Sequence, residues 1–285
     1  LFALRAAEGM ADGERRHIWV YPKGTEETIG HFLALHSDTT LTLNFDPAKG
    51  PVKLHAKGNL LEVMLEEIDY LHKYEYWCSE QAASKLKALL LEKRIREQLG
   101  EKFKYEGMVR RLVRHLEKTQ LPEGAWTWWQ SGPAYTWITS HVVEALSLAK
   151  VEGYAPKYDE KKLQDYMVYR LEQARFTDKL MMLETLHKLQ AKVDYTRYVE
   201  ELSKRTKPSL EEQLRLTRMR QLLKLEAPLD TLQKHKQVTM LGGLYWGENR
   251  HSLFNNQISN TLLAYDILRA AGGHEQELAA IRAFL

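Results

Sequence analysis

From Leu60 to the end of this 285-residue chain, the apolar residues recur at helical spacing. Leu60, Leu61, Met64, Leu65, Ile68 and Leu71 form one stripe, and Ala83, Leu86, Leu89, Leu90 and Ile95 form the next. A period of 3.6 places such residues on one helix face, which has to be buried against a neighbour. The same pattern predicts helices over Met108–Leu116, Ile138–Ala149, Lys161–Leu171, Leu180–Val193, Ser209–Leu225, Ile258–Ala271 and Gln276–Phe284. Ser209 and Glu212 have capping-box spacing, and Gly272 suits a helix stop. Short connections make neighbouring helices antiparallel, so the chain reads as a succession of helical hairpins.

An internal echo supports that organisation. Glu123-Gly124-Ala125-Trp126-Thr127-Trp128 precedes the helix that holds Thr139–Leu146. Gly242-Gly243-Leu244-Tyr245-Trp246-Gly247 precedes the one that holds Ile258–Tyr265. A glycine-aromatic loop leading into a small-then-apolar helix therefore occurs twice, the signature of a solenoid or a closed α/α ring.

The first part of the chain has a different character. His17–Tyr21 and Thr39–Phe45 are rich in β-branched and aromatic residues, and Val52–Ala56 alternates after a Pro/Gly-rich turn. These segments predict strands. A pair or trio of strands exposes too much edge to stand alone, so they are expected to belong to a β-domain with more members. The expected division is 1–57, a partial β-domain, and 58–285, a helical domain.

Charge excludes some functions. The 41 basic and 38 acidic residues leave +3, interspersed as in Glu92–Glu97, so no basic stripe points to nucleic acid. No apolar run reaches membrane-spanning length, so no membrane contact is expected of these residues. One cysteine permits no internal disulfide, and no His-Glu-x-x-His run or Cys/His ligand spacing provides a metal site. No cofactor is expected. The beginning, Leu1–Arg5, lacks an initiating Met and reads as an internal point of a longer polypeptide.

The single cysteine has unusual company. Cys78-Ser79-Glu80-Gln81 opens a long amphipathic segment, and residues three apart in a first helical turn lie side by side. A thiol held against a carboxamide can expel ammonia and close an internal thioester. A helix N-terminus favours nucleophilic sulfur. Tyr74, Tyr76 and Trp77 are placed to shield such a bond from water.

These residues carry a resemblance. Cys78-Ser79-Glu80-Gln81 is similar to the Cys-x-Glu-Gln thioester motif of the α2-macroglobulin and complement superfamily. Asp12–Arg16 with Ile18–Gly24 resembles the entry to the small β-domain before the thioester domain. Gly58–Leu61 looks like the start of the helix leading to the motif, and Pro122–Ala149 is similar to the first loop-and-inner-helix unit of the family's toroid. The wording resembles bacterial members, the long Bacteroidetes-type ones especially.

The resemblance implies a mainly α fold, an α/α toroid of helical hairpins preceded by a few β-strands from a partial β-sandwich domain. It implies a protease trap, with a thioester between Cys78 and Gln81 supported by Glu80 and Ser79, and no turnover enzyme, because acyl transfer consumes the site. Target proteases would be captured covalently after bait cleavage, in concert with other domains of the same longer chain. The parent would be extracytoplasmic, periplasmic or envelope-tethered. Two features depart from the family. Trp77 stands where the family carries Gly, and Phe176-Thr177-Asp178 lacks the histidine that accepts the acyl group in hydroxyl-reactive members. His141, His187 and His251 are the remaining candidate acceptors by position. Without one, direct attack by amines is expected.

Three other readings stand beside this one. Gln120–Trp126 fits the Gln-x-x-x-Gly-x-Trp pattern of terpene cyclases, without their acidic cluster, and is expected to stiffen a hairpin connection. A cleft lined by Trp128, Trp129 and Trp246 could bind carbohydrate. A toroid with a degenerate, thioester-free motif is the structural alternative.

Overall fold

The computed structural model describes residues 2–5, 9, 11–14, 17, 20, 24, 28–30, 35, 39–56, 60–129, 131–174, 176–240, 242–249, 251–252 and 255–285. The chain divides into two compact units, Leu1–Asp46 and Pro47–Leu285. Among the described residues the first unit contains an antiparallel hairpin, β1 (Phe2–Arg5) with β2 (Ala11–Glu14), in the register Phe2 to Glu14 and Arg5 to Ala11.

The strands expected over Thr39–Phe45 and Val52–Ala56 are not formed. Both segments are exposed and without regular structure, and a 3-10 turn at Pro47–Lys49 lies between them. Alternation makes a segment able to join a sheet, but a strand exists only once a partner satisfies its N–H and C=O groups. The expectation for His17–Tyr21 lies outside the described residues except at 17 and 20.

The second unit is mainly α. Its helices are α1 (Leu60–His72), α2 (Ser79–Gln98), α3 (Glu106–Lys118), α4 (Thr136–Val151), α5 (Glu160–Gln173), α6 (Phe176–Lys188), α7 (Tyr195–Ser203), α8 (Leu210–Leu222), α9 (Asp230–His235), α10 (Gln257–Ala271) and α11 (Glu275–Phe284). A two-stranded ribbon, β3 (Lys236–Val238) against β4 (Leu244–Trp246), interrupts them.

The even-numbered helices pack in succession, α2 on α4, α4 on α6, α6 on α8 and α8 on α10. Outer helices lie against them, as α3 does on α2 and α11 on α10. These are the stacked hairpins of an α/α toroid. Two hydrophobic clusters fill the interior. One runs from α2 to α8 around Leu86, Trp126, Leu146 and Met167, and the other joins α8, α9, β4, α10 and α11 around Trp246 and Ile267.

Local signals placed several ends correctly. Ser209 accepts from the Glu212 amide while Glu212 returns a bond to the Ser209 amide, closing the capping box of α8. Gly272 ends α10 at φ 75°. The helix expected over Leu180–Val193 instead begins at Phe176 and stops at Lys188, where Gln190 takes φ 54° and the Ala191 amide closes on the Leu186 carbonyl. The short α7 and α9 were not expected. Their few apolar residues, Tyr198, Val199 and Leu202 in one and Leu232 in the other, are too few to show a period but are buried.

Candidate functional site

The chain runs from α1 through an extended strap, Tyr74–Trp77, into the N-terminus of α2. Cys78 is the N-cap, at φ −65° and ψ 162°, and its own side chain makes no capping bond. The Ser79 amide, one of the orphan donors every helix start must satisfy, donates at 3.0 Å to the Trp128 carbonyl. The loop between α3 and α4 therefore docks on the start of α2 and brings its aromatic residues there. Trp128 is fixed in turn edge-on against Trp137, with ring centroids 5.0 Å apart.

Cys78 and Ser79 are each 3% exposed. They line a pocket of about 410 Å³ with Trp77, His115, Thr119, Trp128, Trp129 and Ser131. Gln81 occupies the third helical position, with Oε1 buried and without a hydrogen-bond partner. A carboxamide oxygen left in that state costs free energy of order 1–3 kcal/mol. The helix start thus sets a buried thiol and an unsatisfied carboxamide three residues apart.

The remaining motif residue, Glu80, turns to another network. Its Oε1 accepts from Ser84 Oγ at 2.8 Å, and Ser84 Oγ lies 3.0 Å from His141 Nε2. Lys87 Nζ donates to His141 Nδ1 at 3.2 Å and to Glu144 Oε2 at 2.9 Å. An ammonium has only donors, so Nδ1 is the acceptor and Nε2 carries the proton toward Ser84. Burial and then the Lys87 charge hold the His141 pKa down to about 4, so the ring is neutral at physiological pH. Burial would raise the Glu144 carboxyl, but Lys87 outweighs it and holds the group below its ordinary value.

The three histidines singled out from sequence separate here. His141 reaches Glu80 through Ser84, whereas His187 packs edge-on against Tyr195 at 5.6 Å and His251 lies exposed in the loop before α10. None of the three lines the pocket at Cys78; His115 of α3 does. Its Nε2 donates to the Trp77 carbonyl at 2.7 Å, and its ring meets that of Trp77 edge-on at 5.5 Å. No local pattern marks His115, which lies thirty-seven positions after Cys78 in an ordinary amphipathic helix.

The expected aromatic shield is only partly in place. Trp77 lines the pocket, but Tyr74 and Tyr76 are 46% and 58% exposed, with their rings tilted at 58° to each other. Their carbonyls, rather than their rings, face inward, toward the Lys85 ammonium, which donates to Tyr74 O and, at 3.1 Å, to Tyr76 O. Trp128 and Trp129 line the pocket beside Trp77, with Trp129 itself 57% exposed. Lys85 is 4% exposed and also lies 5.5 Å from the Trp77 ring centroid. Desolvation lowers its pKa, and the nearby Cys78 opposes that shift.

The alternative sites resolve into structural roles. Gln120 Nε2 donates to Gly124 O at 2.8 Å and its Oε1 accepts from the Asp159 amide at 2.8 Å, so this residue ties the α3–α4 loop to the start of α5. Gly124 sits at φ +96°, where a Cβ would lie 2.4 Å from the Leu163 amide nitrogen. Trp246 is 1% exposed within the second hydrophobic cluster, apart from Trp128 and Trp129, so the three do not share a cleft. Among the described residues, no group of His, Cys, Asp or Glu is arranged to hold a metal, and no helix is long and apolar enough to cross a membrane.

No family model matches the chain, and no curated protein matches it. Among solved structures it is similar to the native conformation of E. coli alpha-2-macroglobulin determined by cryo-EM, with a TM-score of 0.55 and 18% sequence identity over 77% of this chain. The chain spans 15% of the length of that protein. At this identity the likeness is one of fold alone.

Proposed function

We propose that Cys78 Sγ and Gln81 Cδ form an internal thioester and that this chain is the thioester-bearing part of an α2-macroglobulin-like protease trap. One observation carries the reading. Cys78, its thiol buried and making no capping bond, stands at the N-cap of α2, while the carboxamide three residues on has a buried, unpartnered oxygen. The fold shared with E. coli alpha-2-macroglobulin supports it. Forming the bond joins Sγ to Cδ and releases ammonia. Opening it transfers the Gln81 acyl group to a nucleophile on the attacking protease and frees the thiol, so the site acts once.

In this reading residues 1–57 belong to an adjoining β-domain and 58–285 to a toroid domain of a Bacteroidetes-like member. Trp77 and Trp128 keep water from the bond, Ser79 anchors the helix start, and Glu80 holds the first turn through Ser84. His115 is committed to the Trp77 carbonyl, and His141, His187 and His251 stand off the pocket. Amines therefore attack the acyl carbon directly. The parent protein works outside the cytoplasm, in the periplasm or on the envelope, with proteases as targets.

Intact-mass measurement on freshly prepared protein tests this. A thioester lowers the mass by one ammonia and leaves Cys78 unreactive to iodoacetamide until methylamine is added, whereas glycerol leaves it closed. Full mass with a freely alkylated Cys78 would instead identify a structural toroid without the bond.

A further inference from the structure

Lys85 is a buried cation that the chemistry above does not use. It lies seven residues after Cys78, two helical turns on, so the two occupy one face of α2. Its neighbours are two carbonyl oxygens of the strap and the face of Trp77. Among the described residues no carboxylate pairs with it, and the ionisable group coupled to it is Cys78. An ammonium taken out of water without an anion is costly, and carbonyl dipoles with one aromatic face offset only part of that cost. If this slot required packing alone, Met or Leu would fill it without the penalty. The charge itself needs a reason, and the sulfur supplies one.

We propose that Lys85 is the counter-ion for the sulfur that departs when the Gln81 acyl group is transferred. It is a positioning residue that stabilises charge on Cys78 from behind the Trp77 strap. The proposal rests on the thioester reading and deepens it. In the step, an amine nitrogen bonds to Gln81 Cδ, the Cδ–Sγ bond breaks, the electron pair stays on Sγ, and the amine proton passes to water. Negative charge therefore appears on Sγ while a positive charge is already fixed on the strap that leads into Cys78. In a partly desolvated pocket that attraction is several-fold stronger than in bulk water, and no solvent has to reorganise to provide it. The same charge favours the sulfur as nucleophile when the bond first forms. His115, the titratable side chain that lines the pocket with Cys78, is tied to the Trp77 carbonyl.

Lys85→Gln and Lys85→Arg in the intact chain separate charge from hydrogen bonding, because Gln retains a donor for the Tyr74 and Tyr76 carbonyls but carries no charge. Intact mass reports closure of the thioester, and methylamine-triggered release of the thiol reports its opening. Wild type and K85R are expected to close and open alike, while K85Q opens about tenfold more slowly or more, or fails to close. A closed K85Q that opens at the wild-type rate, or a K85R as slow as K85Q, would overturn the counter-ion role and leave the thioester standing. A wild-type chain of full mass would remove the thioester, and this inference with it.

Discussion

His141 shows how far one side chain's environment departs from what its letter suggests. From sequence it is a candidate acyl acceptor on an inner helix. In the fold it is a neutral relay, taking a bond from Lys87 and passing one to Ser84 and so to Glu80. Its folded pKa, about 4, lies below the ordinary 6.5. Between those values the unfolded chain binds the extra proton and the folded one does not. Its contribution is therefore intact above pH 6.5 and is lost as pH falls toward 4. Going from pH 7 to 4.5 should cost wild type about 2 kcal/mol more than H141Q. Urea midpoints at the two pH values check this, and parallel losses would show that the ring is solvated. Cys78 and Gln81, by contrast, were legible as a pair from their spacing alone. Lys85 could have been read beside them, since a seven-residue offset shares their face, but its burial without a carboxylate is visible only in the folded chain.

At the scale of elements, the repeated loop is a repeated hydrogen-bonding device. The Trp126 indole donates to the Leu116 carbonyl and its amide donates to Thr139 Oγ1, at 2.8 and 3.0 Å. Trp246 does the same with Leu232 and Thr261, at 2.8 and 3.0 Å. In each hairpin a tryptophan fastens the end of an outer helix to the start of the next inner one. Both threonines are fully buried, so Thr139→Val or Thr261→Val leaves a tryptophan amide without an acceptor, at about 1–3 kcal/mol each. The pairs lie in separate hairpins with no shared partner, so the double variant should lose the sum within a few tenths of a kcal/mol. Chemical denaturation of the two single variants and the double checks this. The sequence echo pointed to these hairpins through their glycine and aromatic residues, although the threonine follows its tryptophan by 13 positions in one and 15 in the other. The strands expected over Thr39–Phe45 and Val52–Ala56 show the opposite case, in which alternation alone does not provide a partner.

Across the whole helical unit, each pair of successive inner helices is joined by polar groups. Lys87 reaches Glu144 between α2 and α4, and Thr185 donates to Ser140 at 2.9 Å between α4 and α6. Arg215 joins Glu184 at 2.7 Å between α6 and α8, and Arg218 lies 3.6 Å from Asp266 between α8 and α10. The Arg215 cluster is the most enclosed. Arg215 also bonds Glu211 at 2.8 Å, and burial pushes the Glu184 carboxyl up while Arg215 opposes that shift. R215M strands two buried carboxylates and should cost about 3–5 kcal/mol. Adding E184Q and E211Q should recover most of it, as read from thermal or urea unfolding. Recovery would show that these charges set helix register rather than supply net stability.

The sequence by itself determined the mainly helical class, the hairpin repeat and the placing of Cys78 and Gln81 three positions apart at one helix start, because each rests on spacing within a few turns of one helix or on a motif repeated along the chain. Only the tertiary structure decided what surrounds that pair: Trp128 and His115 from α3 and the loop after it, and the inner-helix relay through His141. Those neighbours come from other hairpins, and helical periodicity specifies which face is buried without specifying which side chain of another helix meets it.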